Sequence, residues 1–189
     1  MSAVELLPFD PAKHAALVAQ WLRQPHVSLW WGDPEDQLAA VLERPLGGSD
    51  ALIAVDGAPV GYVRWQVVLR RELEAAGITD VPDGSIDIDI AIGDERFVGH
   101  GVGPAALAQV VARVRCAGPP PMIIMGTSVA NLSALRAFAK SGFRPLRRFD
   151  DPEYGQFWLL SHAAGARVDS AEHRSGSPVG SAPARRTGP

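Results

Sequence analysis

Residues 98–104, Val-Gly-His-Gly-Val-Gly-Pro, place three glycines at alternate positions directly before an apolar helix. Pro104 has the φ angle that a first helical turn requires. The helix is indicated by apolar residues that recur at helical spacing: Ala105, Leu107, Ala108, Val110, Val111 and Val114. The unpaired N–H groups at the start of a helix attract an anion, and glycines let a ligand approach the main chain closely. The turn therefore predicts a strand-to-helix junction that binds a phosphate group.

At this turn a P-loop is not recognisable, and a dinucleotide-binding fingerprint is matched only weakly. A P-loop has Lys and then Ser or Thr after its last glycine, whereas Gly103 is followed by Pro104 and Ala105. A dinucleotide-binding fingerprint has the pattern Gly-x-Gly-x-x-Gly after the first strand of its unit. Here the third glycine comes one residue early and in mid-chain. A turn that only connects a strand to a helix and binds nothing remains an alternative.

The composition predicts one soluble domain. The chain has 189 residues, of which 47% are hydrophobic, enough for a single sizeable core. It contains no apolar run of about 18 residues and no basic segment followed by an apolar one at its start, so we expect a cytoplasmic protein without a membrane partner. Cys116 is the only cysteine, and we expect it in the core. No set of Cys and His has zinc-site spacing, so we expect no metal.

Residues 163–189 differ in composition from the rest of the chain. They are rich in Ala, Gly, Ser, Pro and Arg and contain no aromatic residue, which predicts a disordered tail after a folded domain at residues 1–162. The tail carries a formal charge of +2, which leaves −5 on residues 1–162. An acidic domain disfavours a nucleic-acid partner and is compatible with a cationic small-molecule substrate.

Hydrophobic patterns predict a mixed α/β sheet. Residues 85–94, strand β4, alternate with period two, with Ile86, Ile88, Ile90 and Ile92 on one face and Asp87, Asp89 and Ala91 on the other. A strand β5 is predicted at residues 120–128. The remaining segments are strands at 4–10, 50–55, 58–70, 144–150 and 155–161, and helices at 11–24, 34–46, 104–117 and 131–143. Two strand pairs are predicted to form β-hairpins. The first turns at Asp56-Gly57, and the second joins residues 144–150 to 155–161.

Two motifs together resemble those of the GNAT acetyltransferase superfamily. The segment VGHGVG after a central strand is similar to that family's pyrophosphate loop. The segment NLSALRAFAKSGF is similar to its Asn-x-x-Ala-x-x-x-(Tyr)-x-Lys-x-Gly-Phe helix. The resemblance covers residues 3–162 and implies a GNAT-type mixed, mostly antiparallel sheet that is splayed between β4 and β5 and flanked by helices.

The same resemblance implies acetyl-CoA as co-substrate. Its pyrophosphate would bind the main chain of the glycine turn, its pantetheine arm would lie along β4, and its far end would meet the helix after β5. The residues implied in this binding are Ile90, Ala91, Ile92, Val98, Gly99, His100, Gly101, Val102, Gly103, Asn131, Ala137, Phe138 and Lys140.

Within the superfamily, QPHVSLWWGD and SIDIDIAIG resemble the aminoglycoside 6′-N-acetyltransferases, which implies a role in antibiotic resistance and a monomer or homodimer. Two positions depart from the family pattern. Val98 stands where Arg or Gln is frequent, so anion binding relies on main-chain N–H groups. Phe138 stands where a Tyr often protonates the leaving thiolate. A siderophore-pathway acetyltransferase acting on a hydroxylated lysine side chain is the second interpretation, and a non-catalytic acetyl-CoA-binding module is the third.

Asp89 is the predicted catalytic residue. An aliphatic amine is mostly ammonium near neutral pH, so acetyl transfer needs a group that accepts its proton, and a carboxylate on β4 does this directly or through one water. Asp87 lies two residues away on the same face, which favours a cationic substrate and raises the pKa values of both carboxyl groups. A main-chain N–H near Ile90 or Ala91 would polarise the thioester oxygen. A purely structural row of aspartates on a solvent-facing strand is the alternative.

Further substrate contacts are predicted outside β4. Trp30 and Trp31 are adjacent, so we expect one in the core and the other against a sugar ring, with two buried tryptophans as the alternative. Asp33 is a candidate contact or only a helix cap. Asp150 and Glu153, in the turn of the last hairpin, form an acidic patch that either meets a distant amino group or is a solvated turn.

Overall fold

A computed structural model of the chain describes residues 3–43, 47–151 and 154–162. Within these ranges the elements follow one another as β1 (Val4–Pro8), α1 (Pro11–Leu22), α2 (Pro25–Trp31), α3 (Pro34–Glu43), β2 (Ser49–Val55), β3 (Ala58–Val67), α4 (Arg70–Ala75), β4 (Ile86–Ile92), a 3-10 helix (Glu95–Phe97), α5 (Val102–Ala117), β5 (Ile123–Ser128), α6 (Leu132–Lys140), β6 (Phe143–Asp151) and β7 (Gly155–His162).

The strands form one sheet in the order β1-β2-β3-β4-β5-β7-β6. Neighbouring strands are antiparallel except β4 and β5, which are parallel. This parallel pair is short, because only Ile86 with Ile123 and Asp87 with Ile124 are register partners. From Ile88 onward the two strands diverge. The mixed sheet with a splay between β4 and β5 is therefore confirmed.

The alternation of β4 sets its two faces. Ile88 is buried against α5 and α6, whereas Ala91 is buried on the opposite face with residues of α1, α2 and α3. Because side chains on a strand alternate between faces, Asp87 and Asp89 lie on the Ala91 side. The sheet is thus covered on both faces, and the two aspartates lie on the face that carries the first three helices.

Helix α5 forms the larger core with the sheet. Its buried residues follow helical spacing: Val102, Ala106, Leu107, Val110, Val111 and Val114. Burial of each Val or Leu side chain contributes about 1.5–3 kcal/mol. Cys116 lies off this stripe and is exposed, so the expectation that it is a core residue is wrong. None of the helices in the described ranges is long and apolar enough to cross a membrane.

Two of the differences from the sequence-based expectation concern helices α2 and α3. Residues 25–31 form a helix, α2, rather than a connection, with Pro25 in its first turn and no side-chain cap at its start. The predicted helix at residues 34–46 ends at Glu43, and its last three residues lie outside the described ranges. Glu153 and the predicted tail at 163–189 also lie outside them. Helix α2 matters for the site because it brings Trp30 and Trp31 beside the splay.

Candidate active site

The glycine turn joins the end of β4 to α5. Gly99 and Gly101 have φ angles of +82° and +84°, and a Cβ atom on either would meet no atom within 4 Å. The main-chain N–H groups of Gly99, Gly101, Val102 and Gly103 have no hydrogen-bond partner in the described part of the chain. These donors lie at the positive end of the α5 macrodipole. The turn therefore has the free donors and the field that an anionic ligand requires.

A cavity of about 510 Å³, the glycine cavity, runs from this turn along the splay. Arg136 and Lys140 of α6 line this cavity and make it positively charged. Most of the residues predicted to bind the co-substrate line it: Ile90, Ala91, Ile92, Val98, Gly99, Gly101, Gly103, Asn131, Ala137, Phe138 and Lys140. His100 and Val102 do not. The side chain of Val102 is buried in the core, and the exposed ring of His100 contacts the carbonyl oxygen of Val98.

The main chain of β4 faces the splay at alternate residues. The N–H group of Ile86 donates to the carbonyl oxygen of Met122, the residue before β5, and His26 Nε2 donates to the carbonyl oxygen of Ile92 at 2.9 Å. Because main-chain groups on a strand alternate in direction, the N–H and C=O groups of Ile88 and Ile90 also face the splay. Of the two expected oxyanion donors, the N–H group of Ile90 faces the gap and that of Ala91 faces β3.

A second cavity, the aspartate cavity, has a volume of about 210 Å³ and contains Asp89. Five aromatic residues line it: Trp30, Trp31, Phe138, Tyr154 and Phe157. It shares six lining residues with the glycine cavity: Trp30, Trp31, Ile90, Asn131, Ala134 and Phe138. The two cavities therefore meet at β4. One end of the combined space carries anion-binding groups, and the other carries a carboxylate among aromatic rings.

Asp89 is paired with Arg64, its register partner on β3. Arg64 Nε donates to Asp89 Oδ2 at 2.8 Å, and the two side chains are 17% and 32% exposed. Burial alone would lower the pKa of Arg64, but the charge of Asp89 and its hydrogen bond raise it. Arg64 therefore stays charged and offsets the negative charge of Asp89.

Asp87 lies beside this pair and is half-buried. Burial and the negative charge of Asp89 raise its pKa well above the usual range for a carboxyl group. Asp87 does not line either cavity. Its carboxyl group therefore contributes less negative charge to the site than an ionised aspartate would.

The other predicted substrate contacts lie in different places. Trp30 and Trp31 both line the two cavities, so neither is a core residue alone, although Trp31 also packs against the cluster of the first three helices. Asp33 Oδ1 accepts hydrogen bonds from the N–H groups of Glu35 and Asp36, which makes it the cap of α3. Asp150 is exposed on β6 and lines neither cavity, and Glu153 is outside the described residues.

Several lining residues were not predicted from the sequence. Ser133 and Arg136 lie on the same face of α6 as Ala137 and Lys140, so helical spacing would have identified them. Arg64, Tyr154 and Phe157 reach the aspartate cavity through strand register and hairpin geometry, which no local sequence pattern reports. No group of three or more Asp, Glu, His and Cys in the described ranges is arranged to hold a metal ion.

The chain is similar in sequence to two acyltransferases. The chain is 32% identical over 119 residues to the lysine N-acyltransferase MbtK of Mycobacterium sp. (strain MCS), a match that covers 58% of this chain but only 46% of that protein. It is 26% identical over 137 residues to the aminoglycoside N(6')-acetyltransferase type 1 of Klebsiella pneumoniae, covering 68% of each chain.

The fold has solved counterparts. The structure of AAC(6')-Ib in complex with paromomycin and acetyl-CoA superposes with a TM-score of 0.67 at 21% identity, covering 90% of this chain and 99% of the other. At that identity the likeness establishes the fold. The model of the acetyltransferase (GNAT) domain matches residues 10–151, a range that contains the glycine turn, β4, the splay and α6. The chain therefore belongs to the GNAT acetyltransferase family.

Proposed function

We propose that the chain transfers an acetyl group from acetyl-CoA to a primary amine, the 6′-amino group of an aminoglycoside antibiotic. The observation that carries this proposal is the junction of the two cavities at β4. There the glycine cavity, with its free N–H donors, meets the cavity that holds the Asp89 carboxylate. A reaction between an anionic carrier molecule and an amine needs both ends in one continuous space.

The residues of the glycine cavity fit acetyl-CoA. The N–H groups of Gly99, Gly101, Val102 and Gly103 would bind its pyrophosphate, and Arg136 and Lys140 add positive charge for its remaining phosphate. When bound, acetyl-CoA supplies a thioester whose carbonyl carbon is attacked by the amine. The N–H group of Ile90 would donate to the oxygen on which negative charge develops.

Asp89 would accept the proton of the acceptor amine. Its Oδ2 atom is held by Arg64, and its Oδ1 atom has no partner among the described residues. Oδ1 therefore remains for the amine or for one water between them. Phe138, in the wall shared by both cavities, has no proton to give, so the departing thiolate would take a proton from water.

The aromatic walls support an aminoglycoside as acceptor. Trp30, Trp31, Tyr154 and Phe157 offer ring faces to sugar C–H groups and to ammonium groups. The relationship to the aminoglycoside acetyltransferase of Klebsiella pneumoniae points in the same direction. On this proposal the protein is a cytoplasmic resistance enzyme, a monomer or homodimer, whose partner is a small cationic amine. The acidic charge of −5 on residues 1–162 argues against nucleic acid.

One observation favours a second acceptor, a hydroxylated lysine side chain. Arg64 offsets the charge of Asp89, so the aspartate cavity attracts a polycation less than two free carboxylates would. A hydroxylated amine nitrogen is a weaker base than an alkylamine and arrives largely neutral. The 32% identity to a lysine N-acyltransferase supports a lysine side chain as the acceptor.

An acceptor panel with acetyl-CoA tests these proposals. Kanamycin, tobramycin, lysine and Nε-hydroxylysine are compared by kcat/KM for thiol release, and the acetylated nitrogen of each product is mapped by NMR. A preference for the aminoglycosides with acetylation at the 6′-amine supports the first proposal. A preference for Nε-hydroxylysine replaces it with the second. Binding of acetyl-CoA without thiol release for every acceptor would indicate a non-catalytic binding module.

A further inference from the structure

Three neighbouring strands place a row of charged side chains across the sheet. Asp50 on β2 is the register partner of Arg64 on β3, and Arg64 is the register partner of Asp89 on β4. Directly opposed residues of neighbouring strands project their side chains on the same face. Arg64 thus lies between two strands that each present a carboxylate, and its Nε atom donates a hydrogen bond to Asp89.

Arg64 is held from several directions. Its side chain is only 17% exposed, and its Cζ atom lies 5.8 Å from the ring centre of Trp31. An ion pair that is largely withdrawn from water is screened less than a surface pair, and breaking it leaves an uncompensated charge. The guanidinium is therefore fixed relative to both the strand and the aromatic wall.

Arg64 also forms a partition. It lines the aspartate cavity and, on its other side, a cavity of about 230 Å³ that contains Tyr62 and Asp50. The Tyr62 hydroxyl donates to Asp50 Oδ2 at 3.4 Å. Arg64 is the lining residue that these two cavities share. Its position therefore fixes both the back wall of the aspartate cavity and the orientation of Asp89.

We propose that Arg64 is a positioning residue, which holds Asp89 through Oδ2 so that Oδ1 is presented to the acceptor nitrogen. This inference rests on the proposed function, because it assigns Arg64 an effect only through Asp89. The cation has a second effect, since it weakens the attraction of Asp89 for a positively charged acceptor. Loss of Arg64 then lowers kcat but strengthens acceptor binding, a combination that general destabilisation does not produce.

The test compares Arg64→Gln and Arg64→Lys with the wild type, using acetyl-CoA and whichever of kanamycin and Nε-hydroxylysine has the higher kcat/KM. We expect Arg64→Gln to lower kcat about 10- to 100-fold, the cost of a misplaced catalytic group. With kanamycin we expect KM to fall about two- to fivefold, the size of a partly exposed charge interaction. Arg64→Lys keeps the charge and loses the Nε donor, so we expect it to restore KM and only part of kcat.

Arg70→Gln is the matched control. Arg70 Nε also donates to a carboxylate at 2.8 Å, that of Asp83, and neither residue lines any of the three cavities described above. We expect its kinetic constants to equal those of the wild type. Thermal midpoints of all variants are measured, and activities are expressed per folded molecule.

A double-mutant cycle with Asp89→Asn separates the possible failures. If Arg64 acts through Asp89, Arg64→Gln has no further effect on kcat in the Asp89→Asn background. Suppose that Asp89→Asn lowers kcat strongly, but Arg64→Gln either leaves kcat unchanged or has the same effect with and without Asp89. Either result overturns the positioning role of Arg64 and leaves the proposed function intact. If no acceptor is acetylated, the proposed function fails, and the role of Arg64 fails with it. If acetylation occurs but Asp89→Asn is silent, Asp89 is not the proton acceptor, and only the roles of Asp89 and Arg64 fail.

Discussion

The hydroxyl group of Tyr154 occupies the space beside Gly32 that any other side chain at position 32 would need. A Cβ atom on Gly32 would lie 2.7 Å from Tyr154 Oη, and the φ angle of Gly32 is +84°. The contact joins the turn after α2 to the turn before β7, both at the edge of the aspartate cavity. The Trp-Trp-Gly segment therefore requires glycine at position 32 for two reasons. The Tyr154 hydroxyl group leaves no room for a side chain, and the φ angle is positive.

We expect Gly32→Ala to displace Tyr154 and to impair acceptor binding. The backbone strain alone should lower the free energy of unfolding by about 1–3 kcal/mol, and KM for the acceptor should rise while KM for acetyl-CoA is unchanged. Gly77→Ala is the control, because Gly77 has a φ angle of +67° and open space around its Cβ position. Tyr154→Ala combined with Gly32→Ala should be more stable than the sum of the single changes. Strict additivity in urea unfolding would contradict the contact.

Gly103→Val tests the anion site without backbone strain. Gly103 lies in the first turn of α5, lines the glycine cavity, and has no atom within 4 Å of its Cβ position. We expect KM for acetyl-CoA to rise about tenfold or more, equivalent to a loss of at least about 1.4 kcal/mol, with little change in the thermal midpoint. Gly101→Ala differs, because its φ angle of +84° adds strain and should lower the thermal midpoint as well. An unchanged cofactor KM in Gly103→Val would remove the glycine turn from acetyl-CoA binding.

Asp89→Asn removes the proton acceptor and keeps the shape of the side chain. General base catalysis contributes about 10²- to 10⁴-fold, so we expect kcat/KM to fall by that amount for an aliphatic amine while acetyl-CoA affinity is kept. The loss should be smaller for Nε-hydroxylysine, whose nitrogen is already largely neutral. Asp87→Asn should cost much less. Near-normal activity of Asp89→Asn together with an inactive Asp87→Asn would reverse the assignment of the two carboxylates.

Asp87 should make stability fall as the pH rises. Its pKa in the folded protein is raised by burial and by Asp89, so between its ordinary value of 3.8 and the raised value the folded state binds more protons than the unfolded state. Stability is lost as pH rises through this window, and each tenfold difference in proton affinity is worth about 1.4 kcal/mol. We therefore expect Asp87→Asn to raise the thermal midpoint at pH 7 and to flatten its dependence on pH above 4. A lower midpoint at pH 7 would contradict the raised pKa.

The sequence-based expectations succeeded where one local pattern carries the information. The alternation of isoleucine and aspartate predicted both faces of β4, and helical spacing predicted the buried stripe of α5. The same spacing argument places Cys116 off that stripe, because it lies only two residues after Val114, so its exposure was predictable in principle. Helix α2 could not be predicted in this way, because a helix of seven residues is too short to show an apolar period.

Arg64 shows why the rest of the site was not predictable. In the sequence it is one charged residue in a mostly apolar strand, 25 residues before Asp89. The two meet only because β3 and β4 pair in one register, and a shift of one residue would turn Arg64 to the opposite face. Register depends on the whole sheet and its hairpins. Tyr154 depends in the same way on how far the last hairpin reaches toward Gly32.

Because β4 and β5 pair at only two positions, the sheet has a gap between these two strands. A molecule that lies along β4 and bonds to its main chain acts there as a substitute strand and adds interstrand hydrogen bonds that the polypeptide lacks. Binding of such a ligand therefore also stabilises the folded sheet. The melting temperature should then rise with the logarithm of the ligand concentration. The amide hydrogens of Ile88 and Ile90 should exchange with solvent much more slowly once that place is filled.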